Sequence, residues 1–308
     1  MATTDTGSHL ASKDLSPGAL EAAAALTQAA AGERRKRGLI WRAQLSGGDG
    51  PPRRIYWWFE ISLAVWGYMI YAQTRETHGA NASDYKALAA RHGRGLFNFE
   101  KYLGLDWERG LQHNLLPYKG FLQVVGGFYG GAHFAVTIGV MVFLLFRRPR
   151  FYRFWRTCLF AVTMVAVGIF ALYPAMPPRL LKDGSGHPIT VDTLDKVGGL
   201  WSYNHGVVEH ISDAYAPMPS LHLGWATWVA MALWFALPAH SWRRRALVLF
   251  YPLAVYFTVI ATGTHFVIDG VAGMALTAVV VLFCAWAAVR YRRWRLLRTG
   301  HRAAIGLK

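Results

Sequence analysis

The run GTHFVIDGVAGMALTAVVVLFCAWAAV, at residues 263–289, carries much of the information about the fold. From residue 266 onward it is long and apolar enough to cross roughly 30 Å of hydrocarbon as a helix. His265 and Asp269 stand at its start, four residues apart, so the spacing predicts that they lie on one face of a helix. Ionisable groups inside apolar helices are costly and usually indicate a functional site.

Five more apolar segments precede this one, and each predicts a membrane-spanning helix. Residues 74–119 carry a pattern typical of amphipathic helices that lie at a membrane surface. The fold class is therefore all-α: a polytopic membrane protein with six transmembrane helices plus interfacial helices. The membrane domain covers 55–289, between a basic, largely disordered tail at 1–54 and a basic tail at 290–308. The six predicted spans are 55–73, 121–146, 157–176, 221–239, 246–263 and 266–289.

The distribution of charge predicts the orientation. Of the residues, 54% are hydrophobic and the formal net charge is +16. The basic residues flank the apolar segments, which is typical of membrane topology and argues against a nucleic-acid partner. The loop at 177–219 carries more acidic than basic residues, so we expect it to face outward. Both termini are then cytoplasmic, in a multi-pass protein of the cell membrane.

A second motif, Pro219-Ser220-Leu221-His222, opens the fourth predicted span. The predicted topology places His222 at the outer membrane face, together with His265 and Asp269. Arg179, which follows a proline pair at the end of the third span, reaches the same face. Four residues from distant parts of the chain are therefore expected to form one site facing outside the cell.

These residue types permit phosphoryl transfer. A neutral imidazole can attack phosphorus, and His265 is the candidate nucleophile. Asp269 would fix its tautomer, as the aspartate of a Ser-His-Asp triad does, and His222 would protonate the leaving oxygen. A guanidinium matches the geometry of phosphate, so Arg179 is the candidate phosphate ligand, with Lys182 as a weaker second.

The two motifs resemble those of the type 2 phosphatidic acid phosphatase (PAP2) superfamily. Pro219-Ser220-Leu221-His222 is similar to its P-S-x-H motif, and His265 with Asp269 to the end of its third motif. The stretch 173–179 and the segment around Glu100 are similar to the branch that contains the inositol phosphorylceramide synthases of fungi and their actinobacterial relatives. The resemblance implies that His265 is the nucleophile, Asp269 orients it and His222 is the general acid.

The resemblance also implies a membrane lipid substrate: a lipid phosphate, a lipid diphosphate or a phospholipid. Water as the acceptor would make the enzyme a phosphatase, and an alcohol such as inositol would make it a phosphotransferase. No metal or other cofactor is implied. The sequence departs from the family at Thr258 and Val259, where the third motif usually has Ser-Arg, so one phosphate-binding arginine is missing.

Other interpretations stay open. His265 and Asp269 could be a helix-packing pair, His222 an interfacial histidine, and Arg179 a headgroup anchor. Ser220, also a candidate substrate-binding residue, is expected to cap the fourth helix. For Glu60 and His133, within the first two spans, we favour structural roles. Rival functions are a transporter, a catalytically inactive lipid receptor, and a diphosphate-dependent enzyme that binds magnesium at Asp192 and Asp195.

Overall fold

The computed structural model describes residues 55–79, 82–197, 218–238 and 242–304. This part of the chain is helical and contains no strand, as predicted. The α-helices, in chain order, are α1 (Trp57–Gly79), α2 (Ala82–Leu103), α3 (Glu108–Leu115), α4 (Lys119–Gly127), α5 (His133–Arg147), α6 (Pro149–Leu172), α7 (Thr193–Val197), α8 (Leu221–Ala236), α9 (Trp242–Leu247), α10 (Phe250–Ala261) and α11 (Val267–Ala304), with a π-helical turn at Phe128–Ala132 between α4 and α5.

Three helical stretches among the described residues are long and apolar enough to cross a membrane: Pro149–Leu172, Trp242–Ala261 and Val267–Arg295. A fourth results if α4, the π turn and α5 form one span with a 45° bend. These stretches make the chain a membrane protein. α8 is shorter than its predicted span and ends at Ala236, because the residue before Pro238 is disfavoured in helical conformation.

α6 also ends earlier than predicted, at Leu172, because Pro174 follows closely. The chain beyond it is held against α2 instead. The backbone N–H of Met176 donates to the carbonyl of Ala89 at 2.9 Å. The His92 ring stacks on Tyr173, with ring centroids 4.1 Å apart, and its Nδ1 lies 2.7 Å from the carbonyl of Pro174. α2 therefore fixes the path of the chain toward Arg179.

Glu60 has the structural role that the sequence favoured. Its carboxylate accepts hydrogen bonds from the Arg156 guanidinium at 2.8 Å and from the Tyr152 hydroxyl at 3.0 Å. These bonds tie α1 to α6.

α3 braces the loop that follows α6. Gln112 is buried, and its amide donates to the carbonyls of Val191 and Ala261 while accepting from the N–H of Val191. One turn earlier, Arg109 donates to the carbonyl of Ile189 and to the carboxylate of Asp183. Both side chains bind backbone groups of the loop that have no hydrogen-bond partner within a helix. α3 therefore holds this loop against the end of α10.

Three clusters of buried apolar side chains form the core. The first joins α5, α6 and α8 around Trp155 and Trp228. The second contains Val259 and Val267, and the third contains Phe266. Because Phe266 and Val267 are adjacent in sequence but belong to different clusters, the chain is anchored on two sides immediately after His265.

Residues 45–288 belong to one compact unit, which contains all the helices up to α10 and most of α11. Residues 289–304, outside that unit, are described as the end of α11. The predicted tail at 1–54 and residues 198–217 of the outer loop lie outside the described residues.

Candidate active site

His265 lies in a tight loop between α10 and α11. α10 ends in a Schellman motif: the N–H of Gly263 donates to the carbonyl of Ile260, and that of Thr264 to the carbonyl of Val259. Gly263 has a φ of +70°, a conformation that glycine adopts without strain. α11 begins only at Val267, so the prediction that His265 and Asp269 share a helix face is wrong. His265 precedes the helix, and Asp269 lies in its first turn.

We expect Gly263→Ala to destabilise the protein strongly. An added Cβ would lie 2.7 Å from Thr190 Oγ1 and 2.8 Å from Gln112 Nε2, in a backbone conformation that side chains rarely adopt. Left-handed strain and overpacking together should cost about 2–4 kcal/mol. A thermal unfolding scan of the purified protein in detergent measures the loss. Gly139→Ala is the matched control, since no described atom beyond its own helix backbone lies within 4 Å of its added Cβ. Equal melting temperatures for the two variants would contradict the expectation.

The His265 ring lies between a carboxylate and a hydroxyl. Its Nδ1 is 3.6 Å from Asp269 Oδ2, and its Nε2 is 3.3 Å from Ser220 Oγ. Both His265 and Asp269 are buried, at 5% and 0% exposure. The first distance exceeds a hydrogen bond, and Asp269 Oδ2 accepts instead from the N–H of Phe266 at 2.8 Å. Such contacts often tighten only when a substrate is bound.

Ser220 caps α8, as predicted. It stands at the N-cap, and its hydroxyl accepts from the N–H of Leu223 at 3.4 Å. Its backbone N–H donates to the carbonyl of Asp269 at 3.0 Å, which joins the two motifs directly. Gly273 makes this approach possible, because a Cβ there would lie 2.2 Å from the Ser220 carbonyl oxygen. The first turns of α8 and α11 are therefore held together.

His222 completes the group one turn into α8. Its ring centroid lies 5.6 Å from that of His265, in an edge-on arrangement. Tyr129 stacks on His222 at 4.4 Å, and His133 lies 4.6 Å away. The structure thus brings together His222, His265, Asp269 and Ser220, all of which were candidates from the sequence.

His133 also lies in this group, which the sequence did not reveal. The sequence favoured a structural role for it, and the structure places its buried ring against both His222 and Trp225. It opens α5 directly after the π-helical turn, a feature often found at functional sites. The glycines at 126, 127, 130 and 131 were the available signal, but small residues equally indicate helix packing.

Arg179 is buried near the loop rather than exposed at a membrane surface. Its residue exposure is 6%, which argues against a headgroup anchor. Its backbone N–H donates to the carbonyl of Gly263 at 3.2 Å, two residues before His265. Its Nε lies 2.9 Å from the carboxylate of Asp192. Asp192 also accepts from the N–H of Asp195 at the start of α7, so this carboxylate serves the loop itself.

Lys182 is not brought to the histidines. It is exposed on a turn whose backbone pairs Lys182 with Pro188. Val259, which stands where the family usually has an arginine, is fully buried in the apolar cluster of α10. Arg179 is thus the cation that the described structure ties to the loop of His265. The described residues also contain no group of three His, Cys, Asp or Glu side chains arranged to hold a metal ion.

Two elements outside the motifs support the start of α11. Glu108, at the start of α3, accepts from the N–H of Val267 at 3.2 Å. Glu100, on α2, accepts from the N–H of Ile268 at 2.7 Å. Glu100 appeared in the sequence only as part of the family resemblance, and nothing there indicated Glu108. Local patterns cannot reveal such caps, because the donors lie more than 150 residues away.

The arrangement pairs a buried imidazole, backed by a carboxylate, with a second imidazole across a short gap. Such a pair can attack an electrophile on one side and transfer a proton on the other. A family model, that of the PAP2 superfamily, matches residues 94–283. No curated protein and no solved structure matches the chain significantly. The match covers more than half of the chain and includes His222, His265 and Asp269. The chain therefore belongs to the PAP2 superfamily.

Proposed function

We propose that the chain is an integral-membrane phosphatase or phosphotransferase that acts on a lipid phosphate, lipid diphosphate or phospholipid through a phosphohistidine intermediate. PAP2 membership supports the reaction class. The observation that carries the mechanism is the placement of His265, with Asp269 facing Nδ1, Ser220 facing Nε2 and His222 beyond.

In the first step, Nε2 of His265 attacks phosphorus. Nδ1 faces Asp269, so this nitrogen would carry the proton, and Asp269 would stabilise the positive charge that develops on the ring. The bond from phosphorus to the leaving oxygen breaks, and protonated His222 gives its proton to that oxygen. Ser220 Oγ, 3.3 Å from Nε2, would then turn from the nitrogen to the entering phosphoryl group.

In the second step, neutral His222 takes a proton from the acceptor hydroxyl. The acceptor oxygen attacks phosphorus, the phosphorus–nitrogen bond breaks, and His265 is restored. Water as acceptor releases a phosphate monoester or inorganic phosphate. The second candidate activity needs a phospholipid donor. If the headgroup alcohol leaves in the first step, the lipid phosphate stays on His265, and inositol as acceptor yields a new phospholipid. If the lipid alcohol leaves instead, the headgroup phosphate stays on His265 and passes to the hydroxyl of a second lipid, which yields a new phospholipid or sphingolipid.

Arg179 would hold the phosphoryl oxygens. The backbone of Arg179 binds Gly263, two residues before the nucleophile in sequence, and its guanidinium is buried. This side chain is suited to the role because its planar fork matches two oxygens at once. Asp192, now 2.9 Å from Nε, keeps the side chain oriented until a phosphate arrives. Lys182 is a weaker candidate, for an exposed headgroup.

For topology, we propose six spans, formed by α1, the bent unit of α4 and α5, α6, α8, α9 with α10, and α11. α2 and α3 would lie at the outer surface of the cell membrane, beside the site. Both termini would be cytoplasmic, and the lipid chains of the substrate would remain in the outer leaflet. The basic loop at 147–156 supports this orientation.

Purified protein should be incubated with a panel of lipid phosphates, lipid diphosphates and phospholipids, each with and without inositol. We expect release of phosphate or a new headgroup lipid from at least one of them, and inhibition by vanadate, which mimics the transferring group. The ratio of the two products distinguishes hydrolysis from transfer. Turnover that requires magnesium and leaves no phosphate on His265 would contradict the mechanism.

A further inference from the structure

The start of α11 is capped by carboxyl groups from three different helices. The first N–H groups of a helix lack partners within it and are usually satisfied by a nearby side chain. Here Phe266 donates to Asp269 at 2.8 Å, Val267 to Glu108 at 3.2 Å and Ile268 to Glu100 at 2.7 Å. Asp269 belongs to α11, whereas Glu108 and Glu100 come from α3 and α2.

These three carboxyl groups are buried together. Glu100 and Asp269 have no exposed surface, and Glu108 is 3% exposed. Three negative charges so placed would repel one another without water to screen them. Burial, followed by a hydrogen bond and the charge of Glu108, raises the pKa of Glu100 from 4.5 to about 9. At neutral pH the Glu100 carboxyl therefore keeps a proton.

We infer that Glu100 and Glu108 hold one proton between them, and that this protonated pair fixes the first turn of α11 so that Asp269 and His265 keep their reacting positions. The titratable groups that face Glu100 are Glu108 from α3, Asp269 from α11 and Tyr256 from α10. The hydroxyl of Tyr256 donates to the carbonyl of Val267, so it too holds this turn. Glu100 and Glu108 are positioning residues.

The catalytic consequence rests on the proposed function. When the pair loses its shared proton at alkaline pH, Glu100 and Glu108 are both negatively charged. Two buried charges, instead of one, then lie beside Asp269. The pair can no longer share a hydrogen bond, and the turn that carries Asp269 is pushed apart. A displacement of about 1 Å at this distance from the chemistry can cost about 10²-fold in rate.

Two substitutions at one position separate charge from hydrogen bonding. Glu100→Gln keeps an acceptor for Ile268 and a donor toward Glu108, and so imitates the protonated state. Glu100→Ala removes both. We expect Glu100→Gln to keep kcat within about threefold of the wild type at pH 7, and Glu100→Ala to lower kcat about 10²-fold with an unchanged KM.

The pH–rate profile is the decisive readout. Loss of the His222 proton affects the wild type and Glu100→Gln alike, so the two profiles are compared as a ratio. We expect kcat of the wild type to fall above about pH 9 more steeply than kcat of Glu100→Gln. Equal losses in the two Glu100 variants, or identical alkaline limbs in the wild type and Glu100→Gln, would overturn the proposal.

Thermal unfolding tests the shared proton without any substrate. Because the pKa of Glu100 is raised on folding, the stability that its proton contributes is complete below about pH 4.5 and is lost as pH rises toward about 9. The melting temperature of the wild type should therefore fall across this window more steeply than that of Glu100→Gln. Asp106→Asn, which removes an exposed carboxylate near Glu108, is the control and should keep the wild-type slope.

The two readouts separate the two proposals. A melting temperature with the expected slope, in a protein that acts on none of the lipid phosphates, lipid diphosphates and phospholipids of the panel, supports the carboxyl pair and refutes the proposed function. A wild-type melting temperature with the same slope as that of Glu100→Gln refutes the pair, whatever the activity.

Discussion

His265→Asn should abolish turnover of every lipid that the wild type accepts. The variant keeps a polar side chain in the loop between α10 and α11 but has no ring nitrogen that can reach phosphorus. Removing a covalent nucleophile lowered kcat on the order of 10⁶-fold in a serine protease, and we expect a loss of comparable scale here. Incubation with ³²P-labelled substrate followed by rapid quenching should trap a base-stable, acid-labile phosphoprotein in the wild type and none in the variant.

His265→Asn should remain folded. The melting temperature should stay near that of the wild type, because no hydrogen bond to the described backbone depends on the His265 ring. The Schellman motif and the buried Phe266 hold the loop without it. Full turnover in a folded His265→Asn protein would remove this residue from the mechanism and with it the phosphohistidine intermediate.

His222→Asn should slow the reaction to an extent that depends on the leaving group. General acid catalysis contributes about 10²–10⁴-fold when the leaving oxygen needs a proton. An alkyl lipid phosphate has such a leaving group, so we expect a loss of this size. An acidic phenol can leave without being protonated. With a lipid analogue that has such a leaving group, the rate of phosphorylation should therefore fall far less in His222→Asn.

Single-turnover measurements with the two substrates provide the comparison, since they report phosphorylation apart from hydrolysis of the intermediate. Tyr129→Phe is a suitable companion variant, because it keeps the ring that stacks on His222 at 4.4 Å. An equal loss for both leaving groups in His222→Asn would show that His222 positions the substrate and does not act as an acid.

The sequence predicted the helical fold and the group of His222, His265 and Asp269, because each of these depends on local patterns. An apolar run indicates a membrane helix, and Ser220 before Leu221 indicates a helix start. Boundaries were less accurate where one proline decided them. Pro174 and Pro238 shorten α6 and α8 relative to their apolar runs.

The remaining part of the site depends on contacts between distant segments. His133 has no motif around it, and only the folded chain places its ring beside His222. Glu100 and Glu108 lie in polar stretches that resemble ordinary exposed helices, yet they are buried against α11. Arg179 follows a proline pair that indicated an exposed interface, whereas Asp192 and the Gly263 carbonyl hold it inside the fold.

The caps on α11 also have a consequence for how the protein is made. Glu100 and Glu108 leave the ribosome long before Val267 and Ile268, the groups that they bind, and His265 emerges just ahead of these partners. A nascent chain that has inserted its earlier helices therefore has neither a nucleophile nor donors for its two buried carboxyl groups. α11 supplies both at once, so under the proposed mechanism the chain has no reacting group toward the bilayer until α11 has been made and has packed against α2 and α3.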